Sequence, residues 1–255
     1  MKIISDWIDA LKGRRELDVK LLPSQGIFYK KDFKIWIKKV KMEDILEYEK
    51  LYTNDITVVL VLIKKIVAKY TSLSADYIFD DIKSSDIIFI FLEIVRLSTD
   101  KGIKIDYYND VVGAQEIIEF KPDNFNYFKV PEKLRKTFND ESKEYLIDGY
   151  RFSIPSIGIE TSLTQFLVEK SYSKNVEVYN TYIYDFMYFL GNKRRLTFAE
   201  IDNLIEIFNK DMDDVEKEKV QKIVEQFRGF AKYMIKDNSR VIEINNRIDL
   251  EKVWK

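Results

Sequence analysis

The chain has 255 residues and contains neither cysteine nor histidine. These two absences exclude a disulfide scaffold, a zinc site built from thiolates or imidazoles, a thiolate nucleophile, and histidine as a general base. The 42 basic and 43 acidic residues leave a formal net charge of −1, so no overall positive charge favours nucleic acid.

Apolar spacing and turn residues predict a mixed first half. The two most apolar segments, 56–63 and 87–92, are far shorter than the roughly 20 residues of a membrane span, so we interpret them as parts of central core helices. No secretory leader pattern is found, and we expect a reducing cytoplasm. In chain order the predicted elements are a helix over 3–12, a turn at 21–26, a strand over 33–38, and helices over 42–52 and 56–70. A further helix, capped by Ser84 or Ser85, carries the apolar residues of 87–95.

The spacing changes to β-like alternation from Gly102. Asp148-Gly149 is typical of a hairpin turn, and Pro131 favours the start of a brief helix. These signals predict a small antiparallel sheet. Its predicted strands are 103–107, 115–120 and 125–130, and 145–154 is predicted as another strand that is broken at the Asp148-Gly149 turn.

Beyond Pro155 helical spacing returns and continues to about residue 235. Thr197 with Glu200, and Asp213 with Glu216, have the spacing of capping boxes, which mark helix starts. A helical stripe follows, and its members are Val220, Ile223, Val224, Phe227, Ala231 and Met234.

We therefore expect an α+β fold that is mostly helical, with a small antiparallel β region in the middle and a helical C-terminal third. The change of pattern divides the chain into a mixed α/β part, 1–155, and a helical part, 156–255. No Pro/Gly/Ser-rich linker marks this boundary.

Two basic clusters, Arg14-Arg15 and Lys193-Arg194-Arg195, are the clearest charge motifs. Each follows a predicted helix, and cations stabilise helix C-termini, which favours solvated capping charges. The alternative is a nucleic-acid-associated or regulatory α+β binding protein that uses these clusters as a basic patch. Binding of that kind would weaken steeply with salt.

No motif indicates catalysis. The glycines are isolated and lack the GK[ST] ending of a phosphate loop, and no Ser-His-Asp arrangement is available without histidine. Acidic groups at 80–81 and 211–214 lack the glycine of an EF-hand, so we expect no metal there. An enzyme built on carboxylates alone has no paired motif behind it.

One predicted helix is unusually rich in aromatic residues on more than one face, so not all of these rings can enter a single core. Tyrosine is enriched at protein interfaces, which makes this helix a candidate contact surface. Burial between neighbouring elements of the same chain is the equal alternative. The residues are Tyr179, Tyr182, Tyr184, Phe186, Tyr188 and Phe189.

A turn motif precedes the first predicted strand, and it reads Leu22-Pro23-Ser24-Gln25-Gly26-Ile27-Phe28-Tyr29. Pro23 fixes its own φ, and Gly26 can adopt a positive φ, so the turn is rigid. Exposed rings at Phe28 and Tyr29 would suit docking, whereas the alternative is a plain connector. Five residues are interface candidates here: Leu22, Pro23, Gly26, Phe28 and Tyr29. A related string, Ile154-Pro155-Ser156-Ile157-Gly158, follows the Asp148-Gly149 turn.

Together these strings resemble the L-P-S-x-G-x-x-Y signature, and the later D-G turn with its L/I-P-small step, of a family of baseplate proteins from T-even-type, contractile-tailed bacteriophages. The resemblance covers about residues 18–170. It implies a non-enzymatic structural or assembly protein of the baseplate hub, without cofactors, whose partners are other tail proteins or further copies of itself.

The resemblance also implies a place of action and a departure from the family. The protein would occupy the host cytoplasm during assembly, and the virion tail baseplate if it is retained. Many relatives carry a C-P-x-C-G knuckle, but the matching segment here, Asn109-Asp110-Val111-Val112-Gly113, has no thiol. We therefore expect no structural zinc.

Overall fold

The computed structural model describes residues 13–49, 56–99, 102–109, 112–125, 131–171, 192–228, 234–237 and 240–243. This part of the chain contains seven helices and four small antiparallel sheets. The predicted α+β class is confirmed. None of the described helices combines the length and the apolar character needed to cross a membrane.

Ten short strands build the sheets: β1 (Arg14–Leu17), β2 (Ile35–Lys38), β3 (Thr71–Leu73), β4 (Ile103–Asn109), β5 (Ala114–Phe120), β6 (Phe138–Asn139), β7 (Glu144–Ile147), β8 (Tyr150–Phe152), β9 (Met234–Asp237) and β10 (Arg240–Glu243). They form two three-stranded sheets, in the orders β1-β2-β3 and β6-β7-β8, and two hairpins, β4-β5 and β9-β10. In β2 the apolar residues Ile35 and Ile37 are fully buried and alternate with Trp36 and Lys38, as a half-buried strand requires.

The seven helices are α1 (Met42–Glu49), α2 (Ile56–Tyr70), α3 (Ile87–Thr99), α4 (Glu132–Arg135), α5 (Ile157–Ser171), α6 (Phe198–Glu206) and α7 (Asp214–Arg228). A π-helical turn over Ile207–Asp211 continues α6. Both predicted capping positions begin helices: the hydroxyl of Thr197 caps α6, and Asp213 accepts a hydrogen bond from the Glu216 amide at the start of α7.

A first hydrophobic core gathers buried residues from the segment 17–125, together with one residue of α5. Helix α3 is its centre, because every residue from Ile87 to Val95 is buried. Glu93 is the only charged residue in that run, and the guanidinium groups of Arg15 and Arg96 both bind its carboxylate. The buried negative charge of Glu93 is thus balanced by two positive charges.

A second core gathers buried residues from the segment 134–227, together with Phe28. Here α5, α6 and α7 pack with the sheet β6-β7-β8. Phe152 of β8 stacks on Phe227 of α7, with ring centroids 5.7 Å apart. The pattern change at residue 155 lies inside this core, which has members on both sides of it, and a domain boundary at that position stays a prediction.

The predicted strand at 33–38, the helices from 42 and from 56 and the helix after Ser85 are confirmed within the described residues. The predicted strands 103–107 and 115–120 pair as β4 and β5, and Asp148-Gly149 is the turn between β7 and β8. Two expectations are wrong. Met234 begins β9 rather than continuing a helix, because its segment pairs with Arg240–Glu243. Helix α2 is not enclosed on every side, since Leu60 and Val61 are 37% and 60% exposed. The predicted helix at 3–12 and residues 126–130 of a predicted strand lie outside the described residues.

Candidate functional site: a buried polar junction between the two cores

Residues 22–29, here called the signature loop, form a tight turn. The Gln25 amide donates to the Leu22 carbonyl over 2.7 Å, and Gln25 and Gly26 both have positive φ, 56° and 70°. A Cβ on Gly26 would lie 3.0 Å from the Val19 carbonyl oxygen. Glycine therefore fits this position for both its φ and its small size.

The two hydroxyl groups of the signature loop bind one carboxylate, that of Asp86 just before α3. Ser24 Oγ donates to Asp86 Oδ2 over 2.7 Å, and the Ser24 amide donates to Oδ1 over 2.8 Å. Tyr29 Oη donates to Oδ2 over 2.6 Å. The Tyr29 oxygen in turn accepts the Lys83 amide at 2.8 Å. Serine and tyrosine at this spacing thus satisfy a carboxylate that is 0% exposed.

The neighbouring rings Phe28 and Tyr29 enter different cores. Tyr29 stacks on Phe33 in the first core, with ring centroids 3.9 Å apart. Phe28 packs in the second core, edge-on to Phe138 at 6.0 Å. The signature loop therefore fastens the two cores together.

The Lys83 ammonium group also lies between the two cores. Its Nζ donates to Asn192 Oδ1 over 2.6 Å, to the Ile154 carbonyl over 2.9 Å and to Ser153 Oγ over 3.4 Å. It also lies 5.5 Å from the centre of the Phe28 ring. Lys83 is only 2% exposed, so three neutral acceptors replace its hydration. We call Ser24, Tyr29, Lys83, Asp86 and Asn192 the polar junction; Asn192 is its one exposed member.

The second string, 154–158, packs against the segment that carries Lys83. The Ile157 amide donates to the Ile82 carbonyl over 2.8 Å, and the Ser84 amide donates to the Pro155 carbonyl over 3.0 Å. Ser156 caps α5, because its Oγ accepts the Ile159 amide at 3.2 Å. The signature loop and the second string thus both contact one short segment, residues 82–86.

Burial dominates the electrostatics of the polar junction. It raises the pKa of Asp86, while hydrogen bonds from Tyr29 and Ser24 act in the opposite direction. Burial and the Asp86 charge raise the pKa of Tyr29, so its hydroxyl stays protonated and donates. Burial lowers the pKa of Lys83 to about 7, against the attraction of Asp86, Asp81 and Glu144.

A cleft of about 370 Å³ opens beside the polar junction. Tyr29, Lys83 and Asn192 contribute to its wall, together with the turn at 141–143. Five basic and three acidic residues line it, so the lining is more basic than acidic. Two of the cations are ion-paired: Arg194 binds Asp81 at 2.6 Å, and Lys143 binds Asp140 at 2.8 Å.

No protein-family model, curated protein or solved structure matches this chain.

The signature-loop residues do not form an exposed docking surface. Leu22, Phe28 and Tyr29 are 1%, 2% and 4% exposed, and Pro23 is also buried, whereas Gly26 is half-buried. The expectation of exposed rings is wrong, because each ring fills a hydrophobic core. The aromatic candidates Tyr179, Tyr182, Tyr184, Phe186, Tyr188 and Phe189 lie outside the described residues.

Arg15 and the 193–195 cluster form ion pairs. The predicted helices that precede the two basic clusters lie outside the described residues, so capping of helix ends stays a prediction. Arg14 and Arg15 lie in β1, and Arg15 binds Glu93. In the other cluster Arg194 and Arg195 bind Asp81 and Asp80, the acidic pair noted in the sequence. Lys193 binds Glu200 over 3.1 Å. The contacts of Arg15, Arg194 and Arg195 join distant parts of the chain, so local spacing could not predict them.

Asn109 ends β4 and Gly113 directly precedes β5 in the segment that the resemblance matches to a knuckle. The Gly113 amide donates to the Asn109 carbonyl over 2.9 Å, and Gly113 has a φ of 65°. Within the described residues no cluster of three or more acidic side chains could hold a metal ion.

Proposed function

We propose that this chain is a non-enzymatic structural or assembly protein of a contractile-tail baseplate hub, which acts through contacts with other tail proteins. The proposal rests on the signature loop and the string at 148–158, the residues that resemble that family. The protein would act in the host cytoplasm during assembly, and would remain in the virion baseplate if it is a built-in subunit.

The observation that carries the proposal is that both strings pack on residues 82–86. Ser24 and Tyr29 bind Asp86, while the Pro155 carbonyl and the Ile157 amide pair with the backbone of the same segment. Two chance matches far apart in the chain would have no physical reason to share one packing partner. Their contact supports the interpretation that they belong to one structural motif.

The satisfied state of the polar junction supports a structural role over a catalytic one. Both Asp86 oxygens accept hydrogen bonds, and the Lys83 ammonium group has three acceptors. A general base or nucleophile needs a free lone pair that faces substrate. The nucleic-acid alternative is weakened because carboxylates already pair with the cluster at 193–195.

Mass spectrometry of the source phage tests the proposal. Purified virions and tail-assembly intermediates from infected cells would be analysed in parallel with the same fractions from uninfected cells. We expect to detect the chain in the assembly intermediates, whether or not it is also present in the mature particle. It should remain associated with hub proteins at high salt. The proposal would be contradicted if the chain is absent from both fractions and instead binds nucleic acid with an affinity that falls steeply as the salt concentration rises.

A further inference from the structure

The Lys83 ammonium group has an unusual set of partners for a buried charge. Its three hydrogen bonds end on an amide oxygen, a backbone carbonyl and a hydroxyl, and no carboxylate is among them. Buried lysines usually gain a direct counter-ion, because desolvation of an unpaired charge is costly. Without a direct counter-ion, the charged form of Lys83 is less stable, so this lysine loses its proton more readily than an exposed lysine does.

Asn192 is the partner that links Lys83 to other elements. Its Oδ1 accepts from Lys83 Nζ, its Nδ2 donates to the Phe28 carbonyl over 3.2 Å, and its backbone amide donates to Glu144 Oε2 over 3.1 Å. Asn192 thus holds together the signature loop, the Lys83 segment and β7. The hydrogen bond from Lys83 is the shortest of the three.

We propose that the contact between Lys83 and Asn192 is a protonation-controlled latch, closed when the lysine is charged and weakened when it is neutral. A charged donor makes a stronger hydrogen bond than a neutral amine does. Lys83 and Asn192 both line the 370 Å³ cleft, so water can exchange the proton without unfolding of either core.

The groups that face Lys83 set the range in which the latch responds. Asp81 and Asp86 lie on its own segment, Tyr29 on the signature loop and Glu144 on β7, while residues 153–156 contribute no titratable side chain. Two of these charges are shared with other partners, because Arg194 binds Asp81 and Arg151 binds Glu144. Burial therefore prevails and brings the pKa of Lys83 to about 7. The latch changes state near neutral pH.

Two measurements on the full chain test the latch between pH 6 and pH 8.5. The ¹³Cε signal of Lys83, assigned by its loss in Lys83→Arg, reports the charge. Hydrogen exchange of the Asn192 amide, divided by its intrinsic rate at each pH, reports the contact. We expect the lysine signal to titrate in this window, and the protection of the amide to fall about fivefold as it does.

Substitutions of Asn192 test the mechanism, and this residue is exposed enough for the chain to tolerate them. Asn192→Asp places a carboxylate beside Nζ, so the Lys83 transition should move up by about one unit or more, and the amide should stay protected throughout. Asn192→Ala should abolish the pH dependence of the protection. Both variants lose the bond to the Phe28 carbonyl, so their contrast reports the charged acceptor beside Lys83 and not that bond.

Asn203→Asp, on the exposed side of α6, adds the same charge away from the latch and should change neither signal. The proposal is wrong if Lys83 stays charged up to pH 8.5, or if it titrates while protection of the Asn192 amide remains constant.

Discussion

The Asp86 carboxylate explains why the signature loop needs a serine and a tyrosine. Ser24 and Tyr29 supply two hydroxyl donors to Asp86 Oδ2, and the Ser24 amide supplies a third donor to Oδ1. Because Asp86 is buried before α3, loss of any donor leaves an acceptor that water reaches poorly. The serine and the tyrosine of the signature loop therefore stabilise the fold by satisfying this buried carboxylate.

Tyr29→Phe tests this explanation at a single atom. The change keeps the ring on Phe33 but removes the donor to Asp86 and the acceptor of the Lys83 amide. We expect the free energy of unfolding to fall by about 2 to 3 kcal/mol, measured by urea denaturation.

The matched control is Tyr77→Phe, whose hydroxyl accepts only an exposed backbone amide, that of Lys30. We expect a loss below about 1 kcal/mol there. Equal losses for the two variants would show that the Tyr29 hydroxyl has no special role. Tyr29→Ala should cost about 3 to 5 kcal/mol, which would identify the residue as core and not as a docking side chain.

The start of α6 shows how local sequence determines an element. Thr197 Oγ1 accepts the Glu200 amide at 3.3 Å, and Glu200 Oε2 accepts the Thr197 amide at 2.8 Å. These bonds, with Lys193 nearby, lower the pKa of Glu200 to about 2. A carboxyl group whose pKa is lower in the folded state stabilises the fold above its ordinary pKa, and that contribution is lost as the pH falls.

We therefore expect Thr197→Ala to lower the free energy of unfolding by about 1 kcal/mol at pH 7. The contribution of Glu200, seen as the difference between the parent chain and Glu200→Gln, should decline between about pH 4.5 and pH 2. The control is Thr164→Ala, in the exposed middle of α5, which should be neutral or slightly stabilising. A loss in the control as large as at Thr197 would contradict the capping role.

Gly158 marks the closest approach between α5 and the 192–196 segment. An added Cβ would overlap the Arg194 carbonyl oxygen and lie 2.9 Å from Asp80 Cβ. Backbone cannot move aside as a side chain can, so we expect Gly158→Ala to cost about 2 to 3 kcal/mol in thermal or urea unfolding, despite the higher helix propensity of alanine.

The contrasting position is Gly102, where an added Cβ would meet only the flexible carboxylate end of Glu119. Gly102→Ala should stay within about 0.5 kcal/mol of the parent chain. If Gly158→Ala is equally harmless, the glycine of the second string is not required for close packing.

Sequence spacing predicted the elements that depend on nearby residues, and missed those that depend on distant ones. The capping box at Thr197 and the hairpin turn at Asp148-Gly149 are local, and both are present in the structure. Strand β3 was not predicted, because its three residues owe their conformation to pairing with β2. The contact between Lys83 and Asn192 joins segments far apart in sequence, so no local pattern could indicate it.

The two cores depend on different parts of the chain, and this gives a prediction for the whole molecule. The first core draws on residues 17–125, whereas the second needs α6 and α7, where Ile201, Phe208, Val224 and Phe227 are buried. We expect a chain that ends at residue 170 to lose the second core, because Phe152 would lose its stacking partner. The first core should survive.

Hydrogen exchange of the truncated and full-length chains measures this. The amides of α5, β7 and β8 should lose protection on truncation, while those of α3 keep most of theirs. The control is the full chain with Arg194→Gln and Arg195→Gln, which removes two surface ion pairs of about 1 kcal/mol or less each and leaves the second core intact. Retained protection in α5 of the truncated chain would contradict the prediction.

Loss of the second core also decides how assembly experiments are read. A truncated chain without that core would fail to join a baseplate because it is unfolded there, whether or not the missing residues form an interface. Val215→Asp, at a residue of α7 that is 74% exposed, changes the surface of the full chain and leaves both cores in place. Loss of assembly in this variant would therefore report a lost contact and not lost folding.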